Sequence, residues 1–101
     1  MSIKKDYLEN SKFCKVTFKL PKNMVNPTNQ AYLTGEFNNW NTESLPMKRT
    51  KSGEFAASLN LEKGKEYQFR YVIDQNEWIN DLDADSYVGN EFQTENSVVA
   101  I

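Results

Sequence analysis

Two tryptophans stand among side-chain amides: Trp40 in "GEFNNWN" (35–41) and Trp78 in "DQNEW" (74–78). Asn38, Asn39 and Asn41 surround the first, and Gln75, Asn76 and Asn80 surround the second. An indole offers a broad apolar face, and a carboxamide carries donor and acceptor together. That pairing suits a pyranose ring, which has C–H groups on one face and hydroxyls at its rim. Arg70, in "EYQFRYVID", adds five donors in a planar fork. A second reading of the same tryptophans stays open at this level: large aromatics are usually mostly buried, so both could cap the ends of a core.

Other chemistries fit less well. The chain of 101 residues has no histidine, which removes the commonest proton shuttle, Ser/His and Cys/His nucleophiles and most zinc sites. Fourteen acidic residues offer pairs for glycoside hydrolysis. That reaction needs two positioned carboxyls in a cleft that excludes water, which a small sandwich seldom has. Asp81, Asp83 and Asp85 in "NDLDAD" match the first three ligand positions of a helix-loop-helix calcium loop. Ser86 then stands where glycine is needed, and Phe92 where a bidentate glutamate belongs. These aspartates are expected to bond their own loop backbone. The single cysteine, Cys14, lies on an apolar strand face, so its expected role is that of a small buried hydrophobe.

The formal net charge of −2 gives no field to gather phosphates, which argues against nucleic acid. The charged start "MSIKKDYLEN" lacks the apolar stretch of a secretory signal, and no run approaches a membrane span. A cytoplasmic location is expected. No enzymatic activity, metal, nucleotide or prosthetic group is implied.

The elements that position these residues read as strands. "KFCKVTFKL" puts Cys14, Val16, Phe18 and Leu20 on one face, and Lys15, Thr17 and Lys19 on the other. "QAYLTGEF" continues less cleanly, with Ala31, Leu33 and Phe37 sharing a face and Gly35 leaving a gap in it. "MKRTKSGEFAASLNL" reads as two strands around a turn at "KSG". "EYQFRYVID" places Tyr67, Phe69, Tyr71 and Ile73 together, opposite Gln68, Arg70 and Val72. The stretch 79–96 has no sustained period and is expected to be a long ordered loop, with "SVVAI" as the closing strand. Residues 21–30 read as a connection between strands and not between domains. No window shows helical period and turn signals recur about every ten residues, the pattern of an all-β sandwich.

The strings "AYLTGEFNNWN", "LPMKRTKSGEFAASLNLEKGKEYQFRYVIDQNEW" and "NDLDADSYVGNEFQTENSVV" follow in order along the chain. Together they resemble the glycogen-binding, isoamylase N-terminal type of module, the family-48 carbohydrate-binding modules. Such modules occur in the β subunit of AMP-activated protein kinase and in front of starch-branching and debranching enzymes. The resemblance covers residues 31–101, with the first strand compatible. "GEFNNW" and "FRYVIDQNEW" are specific in combination.

The resemblance implies an immunoglobulin-like β-sandwich of early-set type without a disulfide. It implies one module over residues 1–101 that binds α-1,4-linked glucan without catalysis, such as glycogen, starch or maltooligosaccharide. By position, Trp40 and Trp78 are implied as stacking platforms and Arg70 as the basic residue bonding sugar hydroxyls. Thr94 and Asn96 match the polar ligands before the last strand. Phe92 stands near the apolar residue that contacts or threads the glucan, and is larger than the usual leucine. Asn38 and Asn39 are expected to fix the turn that holds Trp40 out. A reading of another class is a regulatory or scaffolding sandwich that docks a glucan-metabolising enzyme or other protein partner. The joint presence of Trp40, Arg70, Trp78, Thr94 and Asn96 favours sugar.

Overall fold

The structure is a computed structural model and describes residues 3–25, 30–75, 77–90 and 94–101. The described residues form the strands β1 (Ile3–Tyr7), β2 (Phe13–Leu20), β3 (Ala31–Gly35), β4 (Lys48–Arg49), β5 (Phe55–Glu62), β6 (Glu66–Ile73), β7 (Glu77–Ile79), β8 (Ser86–Gly89) and β9 (Glu95–Ala100). One sheet has the order β1-β2-β5-β4. The other has the order β3-β6-β9-β8, with β7 also paired to β6. Every pairing between strands is antiparallel. The result is a β-sandwich of two antiparallel sheets, and its one cysteine, Cys14, is free and buried. Among the described residues, no helix is long and apolar enough to cross a membrane.

Period-two alternation builds the centre of both sheets. Cys14, Val16, Phe18 and Leu20 of β2 face Leu33, Phe69, Tyr71 and Val99 of the opposite sheet within one buried cluster. Phe18 meets Phe69 edge to face at 4.9 Å, and Phe69 meets Tyr71 likewise at 5.7 Å. Removing one such ring from water stabilises by about 1.5–3 kcal/mol, and the edge-to-face contact adds ~1 kcal/mol.

Gly35 ends β3 with its backbone against β6, and the gap it leaves is filled by Phe37. A Cβ on Gly35 would stand 2.5 Å from Gln68 O and 2.9 Å from Phe37 Cζ. Phe37 lies outside the strand, in a 3-10 turn (Glu36–Asn38), and its ring reaches back to Phe18 at 5.8 Å.

The sequence pattern fails in three places. Over 79–96, where lack of period predicts one loop, the structure has β8 and the first two residues of β9, and residue 79 closes β7. Strands of three or four residues with mixed exposure are too short to show a period. Ile3–Tyr7 is likewise a strand, paired along its length to β2. Val72, on the face that alternation marks as polar, is fully buried because its cross-strand neighbours Tyr32 and Trp78 cover it. Pro46 makes an isolated bridge to Tyr32. Thus residues 45–47 flank β3 before the chain crosses to β4 in the other sheet.

The aspartates of "NDLDAD" do not converge. Asp81 is buried, and its carboxylate accepts from Tyr71 Oη at 2.6 Å and from the Asp83 amide at 2.7 Å. Burial, then the charge and hydrogen bond of Asp81, push the Tyr71 phenol well above its usual range. Asp85 instead accepts from Lys5 Nζ in β1 and from the Ala100 amide in β9, both at 2.7 Å, and so ties the two sheets at one edge.

Two predictions follow from these contacts. Gly35→Ala must push β3 from β6 or displace Phe37, and is expected to lower stability by roughly 1–3 kcal/mol in urea unfolding. An unchanged midpoint would refute the close approach. For Asp85, burial raises the carboxyl pKa, but the Lys5 hydrogen bond, the Ala100 amide and the Lys5 charge together bring it below the ordinary 3.8. The contribution is therefore complete above 3.8 and is lost as pH falls through the lowered value. With both side chains partly exposed, it is at most ~1 kcal/mol. Asp85→Asn should lower the Tm near pH 7 and leave it matched to the unaltered chain at about pH 2; an equal deficit at both pH values would exclude the linkage.

Candidate functional site

The second edge of β6 is shared by two strands. β9 pairs with Glu66 to Phe69, and β7 pairs with Tyr71 to Ile73. Arg70 stands at the division, with Thr34 as its partner on the other edge. Hydrogen bonds tie the end of one strand to the start of the other at this point. Asn80 donates to Glu95 O at 2.8 Å, Ser97 Oγ donates to Asn80 Oδ1 at 2.8 Å, and the Asp81 amide donates to Ser97 Oγ at 2.9 Å. Asn80 is therefore used to close the backbone, not to meet a ligand.

Trp40 is presented by the turn after β3. Asn38 Oδ1 accepts from the Gly35 amide at 2.9 Å, and its Nδ2 donates to Asn41 O at 3.0 Å. Asn41 Oδ1 in turn accepts from the Glu43 and Ser44 amides. Asn38 thus bonds the turn as expected, whereas Asn39 contributes through its left-handed backbone, φ 57°. Trp40 follows at φ 59°, and its amide donates back to Gly35 O at 2.8 Å, closing a six-residue helix-end ring. A bulky residue in this conformation costs about 1–2 kcal/mol.

Trp78 belongs to β7 and does not lie beyond a strand end, as its polar surroundings suggest; it is 39% exposed. The two indoles meet at a centroid distance of 6.4 Å and a tilt of 35°. Gln75 Nε2 donates to Thr42 O at 2.9 Å, tying the turn before Trp78 to the loop after Trp40. Arg70 donates to Trp78 O at 3.2 Å, and its guanidinium lies 5.8 Å from the Trp78 ring centroid. Burial lowers the Arg70 pKa from its ordinary value, yet the group stays a cation at any physiological pH.

These side chains line one open groove of about 720 Å³, together with Gln68, Gly89, Asn90, Thr94 and Asn96. Of the residues expected to act together, Trp40, Arg70, Trp78, Thr94 and Asn96 converge here. Phe92 and Asn76 lie outside the described residues. Gln68 and Asn90 are additions. Gln68 could have been found from sequence, since it precedes Arg70 by two residues on the same face; Asn90 gives no such signal. A groove with two tilted aromatic faces, a cation and several amides can stack a ring and donate to its oxygens. No group of three or more His, Cys, Asp or Glu placed to hold a metal ion occurs among the described residues.

The family model for the glycogen recognition site of AMP-activated protein kinase matches residues 12–101. A curated relative, the 5'-AMP-activated protein kinase subunit beta-1 of Sus scrofa, is 32% identical over 72 residues. The match covers 71% of this chain and 54% of that protein, so the chain spans about half the length of the relative.

The backbone at Trp40 gives a test of its role. If the ring is placed there against local preference, Trp40→Gly should be more stable than Trp40→Ala by roughly 0.5–1 kcal/mol in urea unfolding, since glycine accepts positive φ without strain. Equal or lower stability of the glycine variant would mean that the position is not strained.

Proposed function

The chain belongs to the family of glycogen recognition sites of AMP-activated protein kinase, and from that premise we propose that it binds α-1,4-linked glucan, such as glycogen, starch or maltooligosaccharide, in the groove between Trp40, Arg70 and Asn96. The observation that carries this reading is the pair of indoles, 6.4 Å apart and tilted by 35°. Two platforms in one plane would suit a flat β-1,4 chain. Tilted platforms suit consecutive rings of an α-1,4 chain, which curves. Arg70 supplies a charged donor on the same face, and Asn96, Thr94 and Gln68 supply polar partners for hydroxyls.

The groove is open, and binding without catalysis is the activity that it supports. Residues 1–101 act as one module in this reading. An α-glucan is the partner, and a glucan-metabolising enzyme is a fitting neighbour for a module of this kind. Affinity should be modest, because an open face stacks few rings and must order a flexible oligosaccharide.

Calorimetry is expected to give a Kd of roughly 10 μM to 1 mM for maltoheptaose, about −4 to −7 kcal/mol. β-Cyclodextrin, already curved, should bind as well or better, and cellohexaose should show no measurable binding. Trp40→Ala should weaken maltoheptaose binding at least ~10-fold while the chain stays folded. Equal retention on amylose and cellulose resins would defeat the proposal, as would retention that survives the joint change Trp40→Ala and Trp78→Ala.

A further inference from the structure

We infer that Gln68 contacts the sugar directly, and that Asn90 and Asn96 also orient its side chain so that it presents a hydrogen-bond donor to the groove. The inference rests on the glucan reading of that groove.

Four side chains form a relay along its floor. Thr94 Oγ1 donates to Asn90 Oδ1 at 3.0 Å, Asn90 Nδ2 donates to Asn96 Oδ1 at 3.1 Å, and Asn96 Nδ2 donates to Gln68 Oε1 at 3.0 Å. A carboxamide can turn over and exchange its donor for its acceptor, so a chain of amides could in principle run either way. Here one end admits only one sense. The Thr94 backbone amide also points at Asn90 Oδ1, at 3.3 Å, and a backbone N–H has no acceptor form. Asn90 must therefore turn its oxygen toward Thr94 and its NH₂ toward Asn96. Asn96 must then accept on Oδ1 and donate from Nδ2, and Gln68 must accept on Oε1.

The consequence falls on Gln68 Nε2. It meets no acceptor among the described residues, and Gln68 is one of the residues that line the groove. Gln68 is also held by its backbone, whose amide donates to Glu36 Oε1 at 2.7 Å, so it links the turn before Trp40 to Asn96 of β9. Arg70, two residues on and on the same face of β6, stands about 7 Å away along the strand. The floor thus offers donors from both Gln68 and Arg70, each calling for an oxygen lone pair on the ligand. A sugar hydroxyl can accept from such a donor while giving its own proton to solvent. A site built to bond a hydroxyl discriminates strongly against a ligand without one.

The relay also divides labour among the expected ligands. Asn96 is only 9% exposed and gives one hydrogen bond from each end of its amide to a neighbour, which leaves one N–H and one lone pair for the groove. Its work in this scheme is to keep the Gln68 oxygen occupied, so that the Gln68 nitrogen is left for the sugar.

The test combines maltoheptaose titrations of the ¹⁵N-labelled chain with two variants. The Gln68 side-chain NH₂ signals should move and saturate with the same Kd as the indole N–H signals. Gln68→Met should weaken binding roughly 10-fold with an unchanged circular dichroism spectrum. Gln68→Glu, which still accepts from Asn96 but has no proton to donate, should lose at least as much. A Gln68→Met Kd within two-fold of the unaltered chain, with Trp40-dependent binding intact, would overturn this inference alone. Failure of the unaltered chain to bind maltoheptaose would overturn the glucan reading and this inference with it.

Discussion

The division of β6's second edge between β9 and β7 is the constraint on which the groove depends. A strand inside a sheet normally keeps one neighbour along each edge, because each exchange of partner leaves backbone groups to be satisfied elsewhere. Here they are satisfied by Asn80, Asp81 and Ser97, which knit the end of β7 to the start of β9. Tyr71 closes the cluster from the core side through Asp81. Breaking one member would strand a buried polar partner, at a cost of about 1–3 kcal/mol. On that edge the division leaves Arg70 between the ladders of β7 and β9, while Thr34 pairs with it on the other edge, and its side chain reaches Trp78 O.

Two indoles held at a surface must be supported without being swallowed by the core. Their mutual contact is worth ~1 kcal/mol, which is about what the left-handed backbone at Trp40 costs. Local energetics therefore leave the arrangement near balance. What fixes it is the frame of side-chain to backbone bonds from Asn38, Asn41 and Gln75. A groove already shaped by such bonds needs little ordering when a ligand arrives, and that reduces the entropy lost on binding. The asparagines around Trp40 thus serve geometry: Asn38 and Asn41 spend their amides on the turn.

The same economy explains where the polar groups of the groove come from. Residues far apart in the chain, Gln68 and Asn96, share one hydrogen bond because β6 and β9 are neighbours. Thr94 donates to Asn90 from both its amide and its hydroxyl, and this sets which atom of each amide faces its neighbour. Polarity in the groove is therefore a property of the sheet and the loop together.

Much of the fold is legible in the sequence, and for a definite reason. Period-two burial is a local property, so β2, β5 and β6, with eight residues each, announce themselves and with them the all-β sandwich. Trp40, Arg70 and Trp78 stand out in the sequence by side-chain type and polar surroundings, and they do converge on one groove. Local sequence carries no such record for β7 and β8, whose three and four residues are strands only because a neighbour completes their ladders. The burial of Val72, the use of Asn80 for backbone closure and the seating of Trp78 within a strand belong to the same class. Each is decided by a cross-strand partner tens of residues away in the chain, and only the packed sheets determine which partner that is.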